Sequence, residues 1–471
     1  MKKHQRIQRG RSLVVLTTLV LGGCSMAPTY TRPVAPVPNT VTGLTKQGPV
    51  VSSFVLDGWQ NFFVDTRLKE IIQQALVSNR DLKVATLTID RARALYQIQR
   101  ADTLPRLNVT GSETAQRIPA DLSGNGQVKV SHQYSVGLGV SSFELDLFGR
   151  VQSLRGQALE NYLATEEAQR SVRLSLVAEV ATAWLTLAAD RERLALAQAT
   201  LTNQQAYHAL VVKRVAGGIA SVIDELSART GVDAARVDVA RYTAQAEQSL
   251  QALNLLVGTP VAQRLLPDRL TAVTALSPLP AGLPSSVLLR RPDILAAEHK
   301  LKSANASIGA ARAAYFPRIG ISAAVGTASA DLNGLFKGGS GVWSFMPQVT
   351  LPIFDYGAVT AGVAVSRAEQ EMALAQYEKA IQVAFKEVAD LMVQQTTAQD
   401  QVVAQQSLAD TSREAYRISQ VRYEQGVDSY LAVLVAQRNE YATQQALIST
   451  KASQYAIQAT VYKALGGSLT P

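Results

Sequence analysis

The chain has 471 residues, of which 47% are hydrophobic, 18% are charged and 6% are aromatic. This length suits two or three domains or one repetitive architecture, and the apolar residues recur through nearly the whole chain, which excludes a long disordered tail. The net charge is +9, but residues 1–23 carry five basic and no acidic side chains, and removing them lowers the charge to +4. Because no cluster of Lys and Arg with interleaved aromatic residues remains, we expect no nucleic-acid partner.

The N-terminus has the pattern of a bacterial lipoprotein signal. Basic residues precede the apolar run Leu13–Leu21, which is too short to span a membrane as a helix. The tetrad Leu21–Cys24 resembles the lipobox, in which the cysteine becomes a lipidated N-terminus; a secretory signal with a chance cysteine is the alternative. Cys24 is the only cysteine, so no intramolecular disulfide can form. We expect a signal peptide over 1–23 and a proline-rich tether over 24–60 that is lipid-anchored at Cys24.

Two copies of one pattern follow, offset by 208 residues. Each copy has a proline step, an alternating run and a second alternating segment, Tyr134–Arg150 in one copy and Trp343–Gly357 in the other. The pattern predicts four strands, two in each copy, with apolar residues on one face and small or polar residues on the other. A soluble sandwich and an outer-membrane barrel both fit this alternation.

Long helices are predicted around these strands. No proline occurs between Pro119 and Pro260 or between Pro352 and Pro471, so each copy can hold one uninterrupted helix of nearly seventy residues, about 100 Å long. Upstream, Asp65 is expected to cap one amphipathic helix, and another follows from about Asp81 to Ala101. A coiled-coil seam is predicted at Leu374, Tyr377, Ile381, Ala384, Val388 and Leu391.

Both long helices are expected to end at matched turns. Gly218 and Gly426 suit the left-handed conformation that closes a helix, and Ser221 and Ser429 can cap the returning helices. The returning helices would cover about Ile219–Val257 and Val427–Leu465. The predicted body comprises a first repeat over 61–260, a linker over 261–285 and a second repeat over 286–471.

The chain resembles the outer-membrane factors of tripartite efflux pumps, the TolC and OprM family, and in particular its lipoprotein branch. The resemblance covers essentially the whole mature chain. It rests on Cys24, Trp59–Phe63, Asn79–Leu82, Phe143–Asp146, Phe148–Arg150, Arg290–Ile294, Asn305–Ala311 and Leu351–Phe354. It implies a membrane α+β fold of the TolC type, in which the four strands of each chain join a trimeric 12-stranded outer-membrane β-barrel, continuous with a long periplasmic α-helical barrel.

The number of predicted strands also requires several copies of the chain in one barrel. Four strands cannot close a barrel, and open sheet edges are not tolerated in lipid. Membrane barrels need at least eight strands, and closed cyclic symmetry makes a homotrimer the simplest solution. The turns Pro119–Ser131 and Asp331–Gly341 would then be extracellular.

Acidic residues lie near both predicted turns. Asp224, Glu225 and Asp428 can form an acidic constriction that admits cations and excludes anions. The alternative is that they are solvated acids favoured near helix N-termini.

Three more residues are candidates for a gate. The resemblance implies that Arg422 and Tyr423 hold the closed state through bonds to neighbouring helices, and a surface coiled-coil pair is the alternative. Val435 stands where many relatives have an aspartate, so a ring at this level would be an apolar constriction.

The sequence contains no catalytic pattern. Its four histidines are scattered, and there is no HExxH motif, metal-spaced cysteine set or Walker-type glycine loop. We therefore expect no enzyme, no metal site and no cofactor apart from the covalent lipid on Cys24.

The predicted function is a passive exit duct of a tripartite multidrug efflux pump. It would receive small toxic molecules from an inner-membrane RND-type pump through a periplasmic adaptor, or membrane fusion, protein, which would pack near Gly218 and Gly426. One alternative is the outer-membrane channel of a type I protein secretion system. Another is a periplasmic coiled-coil scaffold lipoprotein.

Overall fold

A computed structural model of the chain describes residues 25–41, 58–124, 126–271, 273 and 283–467. The predicted signal peptide, 1–23, and the predicted lipidation site, Cys24, lie outside these residues. In chain order the described elements are β1 (Thr40–Val41), α1 (Trp59–Phe62), α2 (Thr66–Ser78), α3 (Arg80–Ala101), β2 (Leu107–Ile118), β3 (Lys129–Glu144), α4 (Arg150–Ala216), α5 (Val222–Val257), β4 (Leu283–Pro284), α6 (Pro292–Ala313), β5 (Arg318–Ser329), β6 (Gly341–Thr350), α7 (Ala358–Glu424) and α8 (Tyr430–Ala464).

The chain divides into two compact units. The sheet unit comprises the described residues of 1–34, 89–165 and 297–377. The helical unit comprises those of 35–88, 166–296 and 378–471.

The two long helices have the predicted length and positions. α4 and α7 contain 67 residues each, and each begins one residue after a glycine with positive φ, Gly149 at 70° and Gly357 at 85°. Among the described residues, α4 alone is long and apolar enough to cross a membrane. However, 56% of its most apolar 18-residue stretch is buried inside the protein. Burial of that kind is typical of a core helix rather than a membrane span.

The short helices upstream are also confirmed. The Asp65 carboxylate accepts hydrogen bonds from the backbone amides of Arg67 at 2.8 Å and Leu68 at 3.3 Å, and it thereby caps α2. The predicted apolar face of α2 is buried at Leu68, Ile71, Ile72 and Ala75. The next helix, α3, ends at the predicted residue, Ala101.

The four predicted strands form one antiparallel sheet in the order β2-β3-β5-β6. Val109 pairs with Leu138, Leu138 with Val325 and Val325 with Trp343, so these residues share a face. Large apolar side chains on this face are 41–80% exposed: Leu107, Val109, Leu138, Val325, Trp343, Phe345 and Val349. The opposite face carries small and polar residues, among them Asn108, Thr110, Ser112, Ser135, Ser344 and Gln348.

A β-bulge keeps this division of faces along β3. The register shifts between Val140 and Phe143, and Ser142 within the bulge has a φ of 57°. The Ser142 amide donates a hydrogen bond to the Ser322 hydroxyl at 3.2 Å. Because the bulge adds one residue, Phe143 pairs with Ile321 on the apolar face instead of pointing to the polar one.

Several predicted boundaries were wrong by a few residues. The first sheet turn is shorter than predicted, because Lys129–Ser131 belong to β3, and Gly341 belongs to β6. The returning helices α5 and α8 begin at Val222 and Tyr430, three residues later than predicted. The reason is that the residues between the closing glycine and the serine form the turn itself. The predicted side-chain cap is confirmed for Ser221 and wrong for Ser429, whose side chain makes no capping hydrogen bond to α8.

The predicted coiled-coil seam of α7 is confirmed over its middle part, whereas Leu374 at its start is only half-buried. Tyr377, Ile381, Ala384 and Val388 are at most 1% exposed. At the end of the seam Leu391 is half-buried, and the buried residue is Met392. The seam therefore moves by one residue there, since a straight α-helix drifts relative to a strict seven-residue repeat.

A buried arginine joins three helices of the helical unit. Arg291, 4% exposed, donates hydrogen bonds to the Asp293 carboxylate at 2.7 Å, to the Glu387 carboxylate at 2.8 Å and to the Ala464 carbonyl at 2.9 Å. Its guanidinium thereby connects the first turn of α6, the middle of α7 and the last turn of α8. Two carboxylates and a helix C-terminus offset the cost of burying the charge.

The described part of the predicted tether lies against the body. In the sheet unit, Arg32 and Lys302 both pair with Glu298, which is 3% exposed, and the Asn305 amide donates to the Pro28 carbonyl at 2.7 Å. Burial alone would raise the pKa of Glu298, but the hydrogen bonds from Arg32 and Lys302 outweigh it and lower that pKa. In the helical unit, β1 pairs with β4.

The close approach of β3 and β5 generates a prediction about Gly326. A Cβ at this position would overlap the Val136 carbonyl oxygen and would lie 2.5 Å from the Gly137 Cα. Since backbone atoms cannot yield easily, we expect Gly326→Ala to lower the free energy of unfolding by about 1–3 kcal/mol. Urea unfolding of the protein in lipid vesicles, followed by tryptophan fluorescence, measures this.

The matched control is Gly320→Ala in the same strand. There the nearest atom to an added Cβ is the Gln348 carbonyl oxygen at 3.9 Å, an ordinary contact. Equal urea midpoints for the two variants would contradict the close approach as the cause.

Candidate functional site

The two matched turns at Gly218 and Gly426, which we call the tips, have the same backbone hydrogen bonds. At the first turn Gly218 has φ 71°, its amide donates to the Val215 carbonyl at 2.9 Å, and the Ile219 amide donates to the Arg214 carbonyl at 2.8 Å. At the second turn Gly426 has φ 74° and its amide donates to the Tyr423 carbonyl at 3.0 Å. This pattern is the Schellman motif. The prediction that both glycines close their helices is confirmed.

The side chain of Asp224 belongs to a capping box at the start of α5. The Ser221 hydroxyl accepts from the Asp224 amide at 3.2 Å, and the Asp224 carboxylate accepts from the Ser221 amide at 3.0 Å. This carboxylate stabilises its own helix terminus. Glu225, the next residue, is half-buried and has no ion pair among the residues that the structure describes.

The third predicted acid is paired within its own turn. Arg422 binds Asp428 through two hydrogen bonds, from Nε at 2.6 Å and from a terminal nitrogen at 3.0 Å. The hydrogen bond from Arg422 lowers the pKa of Asp428. The resemblance implied a partner for Arg422 on a neighbouring helix, whereas within this chain its partner lies six residues further along, across the Schellman turn.

Tyr423 belongs to an aromatic cluster that the sequence reasoning missed. The rings of Tyr207 and Tyr430 are stacked with centroids 4.6 Å apart, and Tyr423 lies 5.7 Å from Tyr430 and 6.4 Å from Tyr207. Tyr416 packs on the same core, and buried Val433 and Leu434 complete it. We call this set, Tyr207, Tyr416, Tyr423, Tyr430, Val433 and Leu434, the tyrosine cluster.

The tyrosine cluster joins the two copies of the repeat. Tyr207 lies on α4 of the first copy, and the other members lie on α7 and α8 of the second copy. The Arg214 guanidinium lies 5.1 Å from the Tyr423 ring centroid, within range of a cation–π contact. Burial raises the pKa values of Tyr207 and Tyr430, so both phenols stay neutral throughout the physiological range.

A sequence signal for this cluster does exist. Tyr416 and Tyr423 are seven residues apart on one predicted helix, which is the period of a coiled-coil core position, and Tyr430 follows just after the predicted turn. The aromatic content of the chain is only 6%, so two tyrosines at this spacing, with a third just beyond a predicted turn, indicate packing. Tyr207 has no aromatic counterpart 208 residues away, where Ala415 lies, so the repeat comparison did not reveal it.

Val435 lies on the exposed side of α8. Its side chain is 51% exposed, whereas Val433 and Leu434 beside it are buried. It borders a cavity of about 500 Å³ between α7 and α8. The other lining residues are Ser412, Ala415, Ser429, Leu431, Ala432, Ala436 and Asn439.

Exposed apolar side chains concentrate at both tips. Near the first turn Ile219 is 80% and Ile223 is 73% exposed, and near the second Val427 is 59% and Leu431 is 67% exposed. Clusters of exposed apolar residues are typical of protein interaction sites.

Comparison with known proteins identifies the family. The family model described as outer membrane efflux protein matches residues 71–259 and 283–467, one segment in each copy of the repeat. The chain belongs to the outer membrane efflux protein family.

Named relatives match over nearly the full length. The probable efflux pump outer membrane protein TtgC of Pseudomonas putida is 44% identical over 457 residues, covering 96% of this chain and 94% of the relative. Outer membrane protein OprJ of Pseudomonas aeruginosa is 43% identical, with coverage of 96% and 95%.

Solved structures agree with the fold described above. A membrane protein from Pseudomonas aeruginosa has a TM-score of 0.88 at 42% identity, covering 94% of this chain and 98% of that one. The open state of the Neisseria gonorrhoeae MtrE outer membrane channel has a TM-score of 0.84 at 37% identity, covering 95% and 99%.

These findings establish the predicted fold class, location and general role of this efflux protein. It has the TolC-like fold, is located in the outer membrane and extends into the periplasm, and serves as an efflux duct. The family is one of channels and not of enzymes. Within the described part of the chain, no three His, Cys, Asp or Glu side chains gather as a metal site.

The tyrosine cluster generates a prediction about the stability of the tips. Tyr430→Ala removes a buried, stacked ring, and truncating such a side chain costs about 3–5 kcal/mol. We expect backbone amides of the tips to exchange hydrogen at least about 100-fold faster, because local opening becomes easier. Hydrogen–deuterium exchange with mass spectrometry measures the change.

Two controls accompany this experiment. Tyr430→Phe keeps the ring and should exchange nearly as the wild type does. Leu431→Ala truncates the adjacent, 67% exposed residue and should change little. If Tyr430→Ala and Leu431→Ala gave the same exchange rates, the cluster would not hold the tips.

Proposed function

We propose that this efflux protein is the passive exit duct of a tripartite pump that exports drugs and other small toxic molecules. The observation that carries the proposal is its 44% identity, over 96% of the chain, to TtgC, whose name is that of an efflux pump protein. Relatives of similar identity are named for antibiotic, toluene and solvent efflux. These names favour small molecules over proteins as cargo.

The duct would be a homotrimer. Among the described strands, β2 and β6 each have only one neighbour, so each leaves a row of backbone amides and carbonyls without a partner in the sheet. Such edges are not tolerated in lipid. Three copies joined edge to edge supply twelve strands, an even number within the range of outer-membrane barrels. The exposed apolar face around Val109, Val325 and Trp343 would then contact lipid.

The partners would be a periplasmic adaptor protein and an inner-membrane RND-type pump. The exposed apolar residues of the tips, Ile219, Ile223, Val427 and Leu431, provide a surface that an adaptor helix can cover. The energy for transport would come from the pump.

The gate would lie at the tips. In this chain the Asp224 carboxylate accepts a hydrogen bond from the Ser221 amide in the cap of α5, and the Asp428 carboxylate forms an ion pair with Arg422. Glu225 and Val435 remain as the predicted residues without an internal partner among those described. An apolar ring at Val435 can close a pore by excluding water, and the tyrosine cluster would hold the hairpins in place.

We propose a covalent lipid on Cys24 as the anchor, with no other cofactor and no enzymatic activity. The lipobox resemblance supports the lipid. The N-terminal segment from Ser25 onwards, bound along α6 through Glu298 and Asn305, would hold the anchor beside the body of the protein.

A substitution at Val435 tests the position of the gate. Val435→Asp places three carboxylates at one level of the trimer, so we expect the channel to become more selective for cations over anions. Reversal potentials in planar bilayers under a salt gradient measure this. Val435→Asn is the matched control, since it changes polarity without adding charge. Unchanged selectivity in Val435→Asp would mean that this side chain does not face the pore.

Gene deletion tests the proposed export function. We expect the deletion strain to become more sensitive to antibiotics, dyes and organic solvents, and a plasmid copy to restore resistance. Affinity purification of the restored protein should recover an adaptor together with an RND-type pump. Unchanged sensitivity combined with the loss of a secreted protein from the medium would instead support the secretion channel.

A further inference from the structure

A cavity in the sheet unit lies where the helices meet the strands. Its volume is about 620 Å³, and its walls come from the N-terminal segment at Met26, the end of α6 and the start of α7. Phe316 and Val363 provide apolar surface, and Arg312 and Arg367 provide charge. None of the predicted site residues lies here.

The cavity lies beside the start of β5. Phe316 precedes the first residue of β5, Arg318, by only two residues. The Tyr315 hydroxyl is 3.0 Å from the Thr360 hydroxyl and is within hydrogen-bond range. At the matching end of β6, Phe354 and Tyr356 are 76% and 90% exposed. Exposed aromatic residues at the end of membrane strands are typical of the lipid–water interface, which would place the cavity at the level of the periplasmic head groups.

The charges of the cavity are not balanced within the chain. Arg312 is half-buried, and its one hydrogen bond among the described residues goes to the Met26 carbonyl at 3.3 Å. Arg367 is exposed and has no ion pair in the described part of the chain. The single acidic residue of the lining, Glu371, forms an ion pair with neither arginine. Two guanidinium groups thus remain available to an anion, and phosphate suits them because it accepts paired hydrogen bonds.

We propose that this cavity binds the phosphate head group of a phospholipid from the periplasm-facing leaflet, with the first acyl carbons against Phe316 and Val363. Arg312 and Arg367 contact the phosphate. A free phosphate ion would use the arginines but leave the apolar wall uncovered, whereas a phospholipid satisfies both parts of the cavity. The bound lipid would also lie beside Met26, two residues from the predicted anchor at Cys24.

The test uses the full-length trimer reconstituted in nanodiscs of phosphatidylethanolamine and phosphatidylglycerol. After extraction into detergent and repeated washing, native mass spectrometry counts the phospholipids retained without a covalent bond. We expect the double variant Arg312→Gln/Arg367→Gln to retain about tenfold less lipid, because charge-assisted hydrogen bonds are lost. The variant Arg312→Lys/Arg367→Lys should retain more than the glutamine variant.

Lys379→Gln is the matched control. It removes a positive charge from an exposed position of the same helix, twelve residues away from Arg367, and should retain lipid as the wild type does. Cys24→Ala should also retain lipid, since the proposed lipid is not the covalent anchor.

Three outcomes would overturn the proposal. Equal retention in the glutamine double variant and in Lys379→Gln would mean that the arginines bind no lipid. Displacement of the lipid by millimolar inorganic phosphate would identify a site for a free anion. Dissociation of the trimer in the double variant, without bound lipid in the wild type, would identify the cavity as a contact with a second copy.

Discussion

The architecture of this protein depends on one constraint: inside a membrane, every backbone amide and carbonyl needs a hydrogen-bond partner within the protein. Its sheet has four strands and two edges, β2 and β6, that have no partner among the described strands. A soluble sheet can expose such edges to water, but a sheet in lipid cannot. The strand register supports the membrane alternative, because it gathers Val109, Leu138, Val325 and Trp343 on one exposed face. The bulge at Ser142 preserves that face as β3 approaches α4.

The two tips show how a repeat can diverge in function while its backbone stays the same. Both turns are Schellman motifs closed by a glycine 208 residues from its counterpart. Their side chains differ. The first turn is followed by a capping box between Ser221 and Asp224, and the second contains the Arg422–Asp428 ion pair. The tyrosine cluster then connects the two copies through Tyr207 and Tyr430. In the proposed duct, Asp224 and Asp428 are used within the chain, which leaves Glu225 and the apolar side chain of Val435 as the predicted residues of this level without an internal partner among those described.

Local patterns were predictable wherever a residue acts through its own neighbours in the chain. Asp65 caps α2, Gly218 and Gly426 close their helices, and α4 and α7 extend without interruption because no proline interrupts them. The start of each returning helix was predicted three residues early, because the turn needs those residues before the serine. The tyrosine cluster was missed, although the seven-residue spacing of Tyr416 and Tyr423 carried a signal.

The four strands, the two long helices, their matched turns and the family resemblance can all be recognised in the amino-acid sequence. The strands, helices and turns follow from periodicity, proline positions and glycine conformation, which act over a few residues, whereas the family was inferred from the resemblance of short motifs. The three-dimensional fold was needed to show which side chains meet: Arg422 with Asp428, Tyr207 with Tyr430, and Arg32 with Glu298. Such partners lie 6 to 266 residues apart, and packing selects the distant ones because a buried side chain such as Tyr430 or Glu298 is stable only where a complementary surface exists.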